Sequence, residues 1–292
     1  MFLPKKLLEE KLKNFLMEDL GQGDLTSALV IPRNCFAEAA LISKSEGIVA
    51  GIEEAKIMLE LVDLNFESYV QDGDRIKHGQ ILMNIKGDAR TILSIERLLL
   101  NLVSRMSGIA TATQEIVDKI RKAGYKTRVA CTRKTAPGML YFDKKAVVVG
   151  GGDPHRLHLD DLILIKDNHI ALIGGVEKAI SKAKAAASFS KKIEVEVSTP
   201  EEALIAAKAG ADIILLDNFS PKQVEETVNA LRKAGLFQRV LLEASGGISA
   251  ENVLEFASKG VDVISLGELT HSVKALDLSL EIVNSNCRAE GL

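Results

Sequence analysis

Five basic side chains, Arg133, Lys134, His155, Arg156 and Lys166, gather in three short polar segments, CTRK, DPHR and KDNH. A guanidinium fork matches a carboxylate or phosphate through two parallel hydrogen bonds, while an ammonium acts as a point charge. Their expected guests are therefore carboxylates or phosphates. Acidic and amide residues recur in the same way: Glu194 and Glu196 in IEVEV, then Asp217 and Asn218 closing IILLDN. Paired carboxylates can bind Mg²⁺, accept hydrogen bonds from sugar hydroxyls or stabilise a developing positive charge. The bland alternative for them is helix capping or ion pairing. Two glycine turns, SGG with Ser245, Gly246 and Gly247, and SLGE with Gly267, free backbone N–H groups to meet phosphate, helped by the starts of the following helices.

Other groups carry weaker signals. His155 and His158, with His169 further on, could be read as a zinc set, but HRLH lacks an i, i+4 spacing and no cysteine joins it. Lys166 stands at the end of an apolar run, which suits either a Schiff-base lysine or simple anion binding. Lys144 and Lys145 are expected on solvated surface or in ion pairs with helix residues.

The elements that must position these residues follow from the apolar pattern. After residue 125, the runs TRVACTRK, DLILIKDNH, KIEVEVST, ADIILLDN, RVLLEASGG and VDVISLGE alternate with amphipathic segments such as PEEALIAAKAG. Continuous apolar strands separated by helices predict a parallel sheet buried on both faces. Strands that all run one way close most readily into an α/β barrel, with an open doubly wound sheet as the alternative and the strand number left open. In either fold, ligands bind at the carboxyl ends of the strands. Those are the ends that carry the charged and glycine residues named above.

The first half reads differently. Leu7, Leu8, Leu12, Phe15 and Leu16 recur at helical spacing and predict an N-terminal amphipathic helix. Gly21 and Gly23 then make a structural turn rather than a dinucleotide fingerprint, because no strand precedes them. Residues 36–87 alternate short β-like runs with turn signals and predict a small, largely β layer; VQDGDRIKHGQILMNIKG looks like a lipoyl-type hammerhead without the attachment lysine. The stretch from Thr91 to Gly124 predicts two long helices separated near Gly108.

Composition narrows the function class. With 292 residues, one large or two unequal domains are expected. A net charge of −3, from 37 Lys plus Arg against 40 Asp plus Glu, leaves no basic surface for nucleic acid or an anionic membrane. No apolar run approaches the roughly 18 residues of a membrane span, and the first residues break into charges too early for a signal peptide. The expectation is a soluble cytoplasmic protein. Cys35, Cys131 and Cys287 show no short metal or dithiol spacing and are expected to be buried, reduced thiols.

Taken in order, MEDLGQGDLTS, ERLLLNLVSRMSGIATAT, CTRKTAPG, KKAVVVGGGDPHR, LILIKDNHI, IEVEV, IILLDN, LLEASGGI and VISLGELTHS resemble the quinolinate phosphoribosyltransferase family from about residue 17 to residue 281. The resemblance implies an N-terminal α/β sandwich plus a partly open parallel α/β barrel, of the type II phosphoribosyltransferase kind. It implies domains at 1–108, joined by 275–292, and at 109–274. The implied activity joins quinolinate to phosphoribosyl pyrophosphate in de novo NAD biosynthesis, giving nicotinate mononucleotide, pyrophosphate and CO₂ with Mg²⁺ as cofactor. By the same resemblance Arg133, Lys134, His155, Arg156 and Lys166 would hold the quinolinate carboxylates, and Arg97 would reach into a neighbouring subunit's site in a homodimer or a dimer-based hexamer. Glu196 and Asp217 would face ribose and Mg²⁺, while Ser245, Gly247 and Gly267 would cradle phosphate. Lys134, Lys166, Glu196 and Asp217 would carry the catalysis.

The sequence departs from the family's usual RKTTPGLR-E-K run by having Ala136, Met139, Leu140 and Asp143. A molybdenum-transport-associated sibling of the same fold shares CTRK, PG and HRL, but its likeness weakens at KDNHI and at the acidic residues. That sibling and a nicotinate-using phosphoribosyltransferase are the alternatives.

Overall fold

The structure, a computed structural model, describes residues 3–287. The outermost residues of the expected domain ranges, 1–2 and 288–292, lie outside it. The chain divides into two units, one of residues 3–112, 141–150 and 273–287, the other of 113–140 and 151–272.

The first unit begins with α1 (Lys5–Leu20) and α2 (Leu25–Val30). Leu8, Leu12 and Leu16 are buried at helical spacing on α1, whereas Leu7 is exposed. Next come β1 (Cys35–Ser43), β2 (Gly47–Ile48), α3 (Ile52–Leu61), β3 (Asn65–Ser68), β4 (Arg75–Ile76) and β5 (Ile81–Asp88). The helix α4 (Ala89–Lys122) follows, and the chain passes into the second unit within it. The last strand, β12 (Leu278–Cys287), returns to the first unit. Strand order is β12-β1-β5-β3, with β12 antiparallel to β1, so the first and the last described strands pair in one sheet.

Three local expectations are corrected in this unit. The first is the helix break: α4 runs unbroken through Gly108, because that glycine admits a neighbouring segment rather than ending the helix. A Cβ there would lie 2.2 Å from the Lys274 carbonyl oxygen. The second concerns the cysteines: Cys35 and Cys287 stand opposite each other in the β1–β12 register and form a disulfide, leaving Cys131 as the buried free thiol among the described residues. The third is corrected in part: Lys144 and Lys145 on α5 (Leu140–Val149) are buried rather than solvated, while the alternative expectation of ion pairing with helix residues holds for Lys145. Lys145 ion-pairs with Glu53 and Glu54 of α3 at 2.6 and 2.8 Å, and with Asp72 at 3.2 Å. The segment Tyr141–Gly150 therefore belongs with the first unit although its neighbours in sequence do not.

The second unit holds β6 (Arg128–Cys131), β7 (Ile163–Ile165), β8 (Ile193–Val197), β9 (Ile213–Asp217), β10 (Leu241–Ser245) and β11 (Val263–Leu266). They form one parallel sheet of six strands in the order β6-β11-β10-β9-β8-β7. The helices α6 (Asp167–Ile173), α7 (Val176–Ala186), α8 (Pro200–Ala209), α9 (Pro221–Lys233), α10 (Val253–Ala257) and α11 (Glu268–His271) intervene. No pairing joins β6 to β7 among the described residues, which leaves the barrel partly open; a single parallel bridge, Ala130 to Asp153, extends the β6 side.

Two of these helices start on side-chain caps. Thr199 accepts from the Glu202 N–H, and Ser220 forms a capping box with Gln223, each followed by proline at the first helical position. The sheet face opposite α8 and α9 carries Glu194, Glu196, Leu215, Asp217, Glu243, Ser245 and Ser265, residues two apart on each strand and aligned across it.

Candidate active site

Two cavities of the second unit open at the ends of its strands. The larger, 610 Å³, opens at the amino ends of β6, β10 and β11 and is lined by Lys126, Arg128, Lys192 and Asp262 among others. The smaller, 470 Å³, opens at the carboxyl ends and gathers the chemistry. Arg133, Lys134, His155, Arg156, Lys166, Glu196, Asp217, Asn218, Ser245 and Gly246 line it together with Thr132, Leu164, Leu215, Glu243 and Ser265. Carboxyl strand ends deliver side chains and loops to a common space, so this cavity is the functional candidate.

Its cations sit on one arc. Arg133 and Lys134 leave β6 in an exposed turn held by the Lys134 N–H donating to Thr132 Oγ1 and by the Thr270 hydroxyl donating to the Lys134 carbonyl. Arg156 is half-buried; burial and the neighbouring Arg133 charge both lower its pKa. Lys166 follows β7, and its ammonium lies 2.7 Å from Glu196 Oε2.

The opposite arc is acidic. Burial first, and then the Glu196 carboxylate, push the Asp217 pKa up from the ordinary aspartate value. The Asn218 amide donates to Asp217 at 2.7 Å, and Asn218 adopts the left-handed region with φ +56°. Its backbone N–H donates to the Ser245 carbonyl, which draws Gly246 against it. A Cβ on Gly246 would meet Asn218 Oδ1 at 2.2 Å and its backbone nitrogen at 2.9 Å, so only glycine fits this close approach.

Gly247 and Gly267 do not line the cavity itself. Gly247 is exposed with open space around its Cβ position, while a Cβ on Gly267 would approach Lys134 Cδ at 3.3 Å. The expected help from helix starts is limited: α11 has four residues and α10 begins only at Val253, so exposed backbone N–H groups are the available donors.

At the same cavity lies a trio that the sequence reasoning assembled only in part, a part-buried His155 with the buried Glu194 and Glu243. Glu243 Oε2 is 3.1 Å from His155 Nε2, and Glu194 Oε2 is 3.5 Å from it. Glu194 is fully buried and neither of its oxygens makes a hydrogen bond; the buried Ser265 hydroxyl lacks one as well. Burial and the adjacent Glu243 push the Glu194 pKa up. Burial disfavours a charged His155, but the facing Glu194 and Glu243 carboxylates, the latter within hydrogen-bond distance, outweigh it and raise the ring's pKa to about 10. The Arg156 N–H points at Nδ1 at 2.7 Å, which favours the neutral ring protonated at Nε2. Both influences keep a proton on Nε2. His155 itself stands at φ +52°, a backbone conformation that costs on the order of 1 kcal/mol and persists only where its surroundings enforce it. Asp153 supplies part of that enforcement by accepting the His155 N–H at 2.8 Å.

Glu243 and Ser265 were not among the expected site residues. A signal existed: Glu243 interrupts the apolar run LLEAS two positions before Ser245 and so shares its face of the strand. His158 and His169 lie apart from the trio. His158 is exposed, and the His169 Nδ1 accepts the Lys166 N–H. Arg97 is exposed on α4 in the first unit.

A family profile described as the N-terminal domain of quinolinate phosphoribosyl transferase matches residues 24–107, and the corresponding C-terminal domain profile matches residues 109–281. The chain belongs to the quinolinate phosphoribosyl transferase family. The "probable nicotinate-nucleotide pyrophosphorylase [carboxylating]" of Methanothermobacter thermautotrophicus is 44% identical over 271 residues, covering 93% of this chain and 97% of that protein. The nicotinate-nucleotide pyrophosphorylase [carboxylating] of Homo sapiens is 38% identical over 282 residues, covering 97% and 94%. Among solved structures, NadC from Streptococcus pyogenes superposes with a TM-score of 0.89 at 36% identity, over 99% of this chain and all of that one. Sandwich and barrel thus follow the quinolinate phosphoribosyl transferase plan across nearly the whole chain. No helix among the described residues is long and apolar enough to cross a membrane.

Proposed function

We propose that this chain transfers the phosphoribosyl group of phosphoribosyl pyrophosphate to the ring nitrogen of quinolinate, releasing pyrophosphate and CO₂ and forming nicotinate mononucleotide for NAD biosynthesis. The observation that carries this reading is one 470 Å³ cavity with cations on one arc and carboxylates on the other. A dianionic acceptor and a sugar that turns cationic need those two surfaces side by side.

In this reading Arg133, Lys134, Arg156 and Lys166 grip the two acceptor carboxylates, with His155 behind them. Holding the acceptor nitrogen beside the sugar carbon converts a bimolecular encounter into a local one. As pyrophosphate leaves, C1 of the ribose gains positive charge, which Glu196 and Asp217 stabilise electrostatically. The pyridine nitrogen donates its pair to C1 and becomes cationic. The C2–carboxylate bond then breaks, CO₂ departs, and the bonding pair stays on C2 beside that cationic nitrogen until a proton replaces the carboxylate. The substrate is its own electron sink, so no organic cofactor is required. Ser245, Gly247 and Gly267 offer hydroxyl and backbone N–H groups to phosphate, and Lys134 and Lys166 supply charge where pyrophosphate separates.

Magnesium fits the donor set. Glu196 and Asp217 are adjacent hard oxygen ligands whose mutual repulsion is felt in the raised Asp217 pKa. Bound there, the ion would neutralise pyrophosphate charge. We further propose a homodimer or dimer-based hexamer in which Arg97 enters the neighbouring subunit's site, and a cytoplasmic location.

The test is incubation with quinolinate, phosphoribosyl pyrophosphate and Mg²⁺ while following CO₂ and pyrophosphate together. Equal release supports the reading. Turnover of nicotinate without CO₂, or no turnover with either acid, refutes it.

A further inference from the structure

A site built for a dianion has a puzzling floor, since Glu194 and Glu243 are two buried carboxylates inside the same barrel. Their arrangement around His155 gives them a use. Nε2 faces both carboxylates, and Nδ1 receives the Arg156 N–H, so both ring nitrogens already have partners within the protein. Neither nitrogen is left to donate to a substrate carboxylate. What the ring does hold is the main chain of Arg156, the next residue. Arg156 and Arg133 line the same cavity, and two guanidinium groups with like charge stay together only if something fixes them.

We propose that Glu243 is a positioning residue for the acceptor subsite, acting through His155 to hold Arg156 beside Arg133. Glu243 lies on β10, in register with Leu215 of β9 and Val263 of β11, and is nearly completely buried. Its carboxylate accepts the hydrogen bond of the Nε2–H group; this fixes the ring plane, and the ring's Nδ1 accepts the Arg156 N–H. Asp153 secures the same turn from its other side through the His155 N–H. The charged groups facing this clamp are Glu194 from β8, Arg156 from the turn after Asp153, Arg133 from the loop after β6 and Asp161 further along the chain. The carboxylate pair thus serves an anion site indirectly: it turns His155 inward and leaves Arg156 as the cation presented to substrate. This deepens the function proposed above and rests on it for the identity of the acceptor.

The experiment compares Glu243→Leu, which removes the acceptor at similar volume, with Glu243→Gln, whose amide oxygen can still take the Nε2 proton. Glu243→Leu is expected to raise the quinolinate KM about tenfold or more while the phosphoribosyl pyrophosphate KM stays within about twofold. Glu243→Gln should recover most of the loss. Equal rises in both KM values, or no rise in either, overturn the proposal. Should Glu243→Leu fail to fold, ¹⁵N spectra of the histidine rings of the wild-type protein and Glu243→Gln decide it, with the His155 signal assigned by His155→Asn. A wild-type His155 protonated at Nε2 whose signal moves in Glu243→Gln, while those of His78, His158, His169 and His271 do not, supports the clamp. A bare Nε2 refutes it. These spectra need no turnover, so a protein inactive toward quinolinate would sink the function reading and leave the clamp decided separately.

Discussion

The Lys166 ammonium lies 2.7 Å from the Glu196 carboxylate, so a single ion pair ties the cationic arc of the cavity to the acidic one. The lysine comes from the end of β7 and the glutamate from β8, adjacent strands of the sheet. Removing the glutamate's charge should therefore disturb catalysis without emptying the acceptor subsite. Glu196→Gln is expected to lower kcat about a hundredfold while changing the quinolinate KM much less, as measured by steady-state kinetics at saturating Mg²⁺.

Arg133 should behave in the opposite way. Its guanidinium belongs to the cationic arc, so Arg133→Ala should raise the quinolinate KM at least about tenfold and the phosphoribosyl pyrophosphate KM far less. Equal losses for both substrates would contradict its place in the acceptor subsite.

Gly246 offers a test of backbone approach. Its φ is +89° and an added Cβ would overlap Asn218, whose own backbone is left-handed. Gly246→Ala should cost about 1–3 kcal/mol of stability in thermal or denaturant unfolding. It should also weaken phosphoribosyl pyrophosphate binding, since the Asn218–Asp217 contact must shift. An unchanged melting temperature would show that the loop relaxes freely.

A last prediction concerns pH. Asp143 is fully buried, and Arg105 reaches both of its oxygens at 2.8 Å. Burial pushes the Asp143 pKa up more than Arg105 pulls it down. A carboxyl whose folded pKa is raised contributes stability that is present below its unfolded value, near 3.8, and is lost as pH rises through the folded value. The stability of the wild-type protein relative to Asp143→Asn should therefore fall as pH rises from that value. Arg105→Ala, which strands the buried carboxyl, should cost about 3–5 kcal/mol at neutral pH, more than Asp143→Asn does. Denaturant titrations across pH check both statements, and a rising difference would reverse the assignment.

Much of the architecture was legible because it depends on local periodicity. Six apolar runs after residue 125 became the six strands of the sheet, and the polar residues at their ends face one cavity because parallel strands all present the same end. The return of the last strand to the first sheet was legible only through family likeness, since nothing local in residues 278–287 names its partner.

Other features depend on what distant segments do. Gly108 reads as a helix break, yet it is a notch for Lys274. Lys144 and Lys145 read as surface charges or helix ion pairs, and only the fold shows that Lys145 is buried and which residues, Glu53, Glu54 and Asp72 from elsewhere in the chain, pair with it. Cys35 and Cys287 are 252 residues apart, and only strand pairing brings them together. Sequence alone determined the strand–helix alternation, the chemical types at the strand ends and the family, all of which need no knowledge of long-range contacts. Tertiary structure alone decided which way His155 turns. Side-chain direction at a buried charge is set by partners from other strands, here Glu194 of β8 and Glu243 of β10, and no spacing along one segment encodes them.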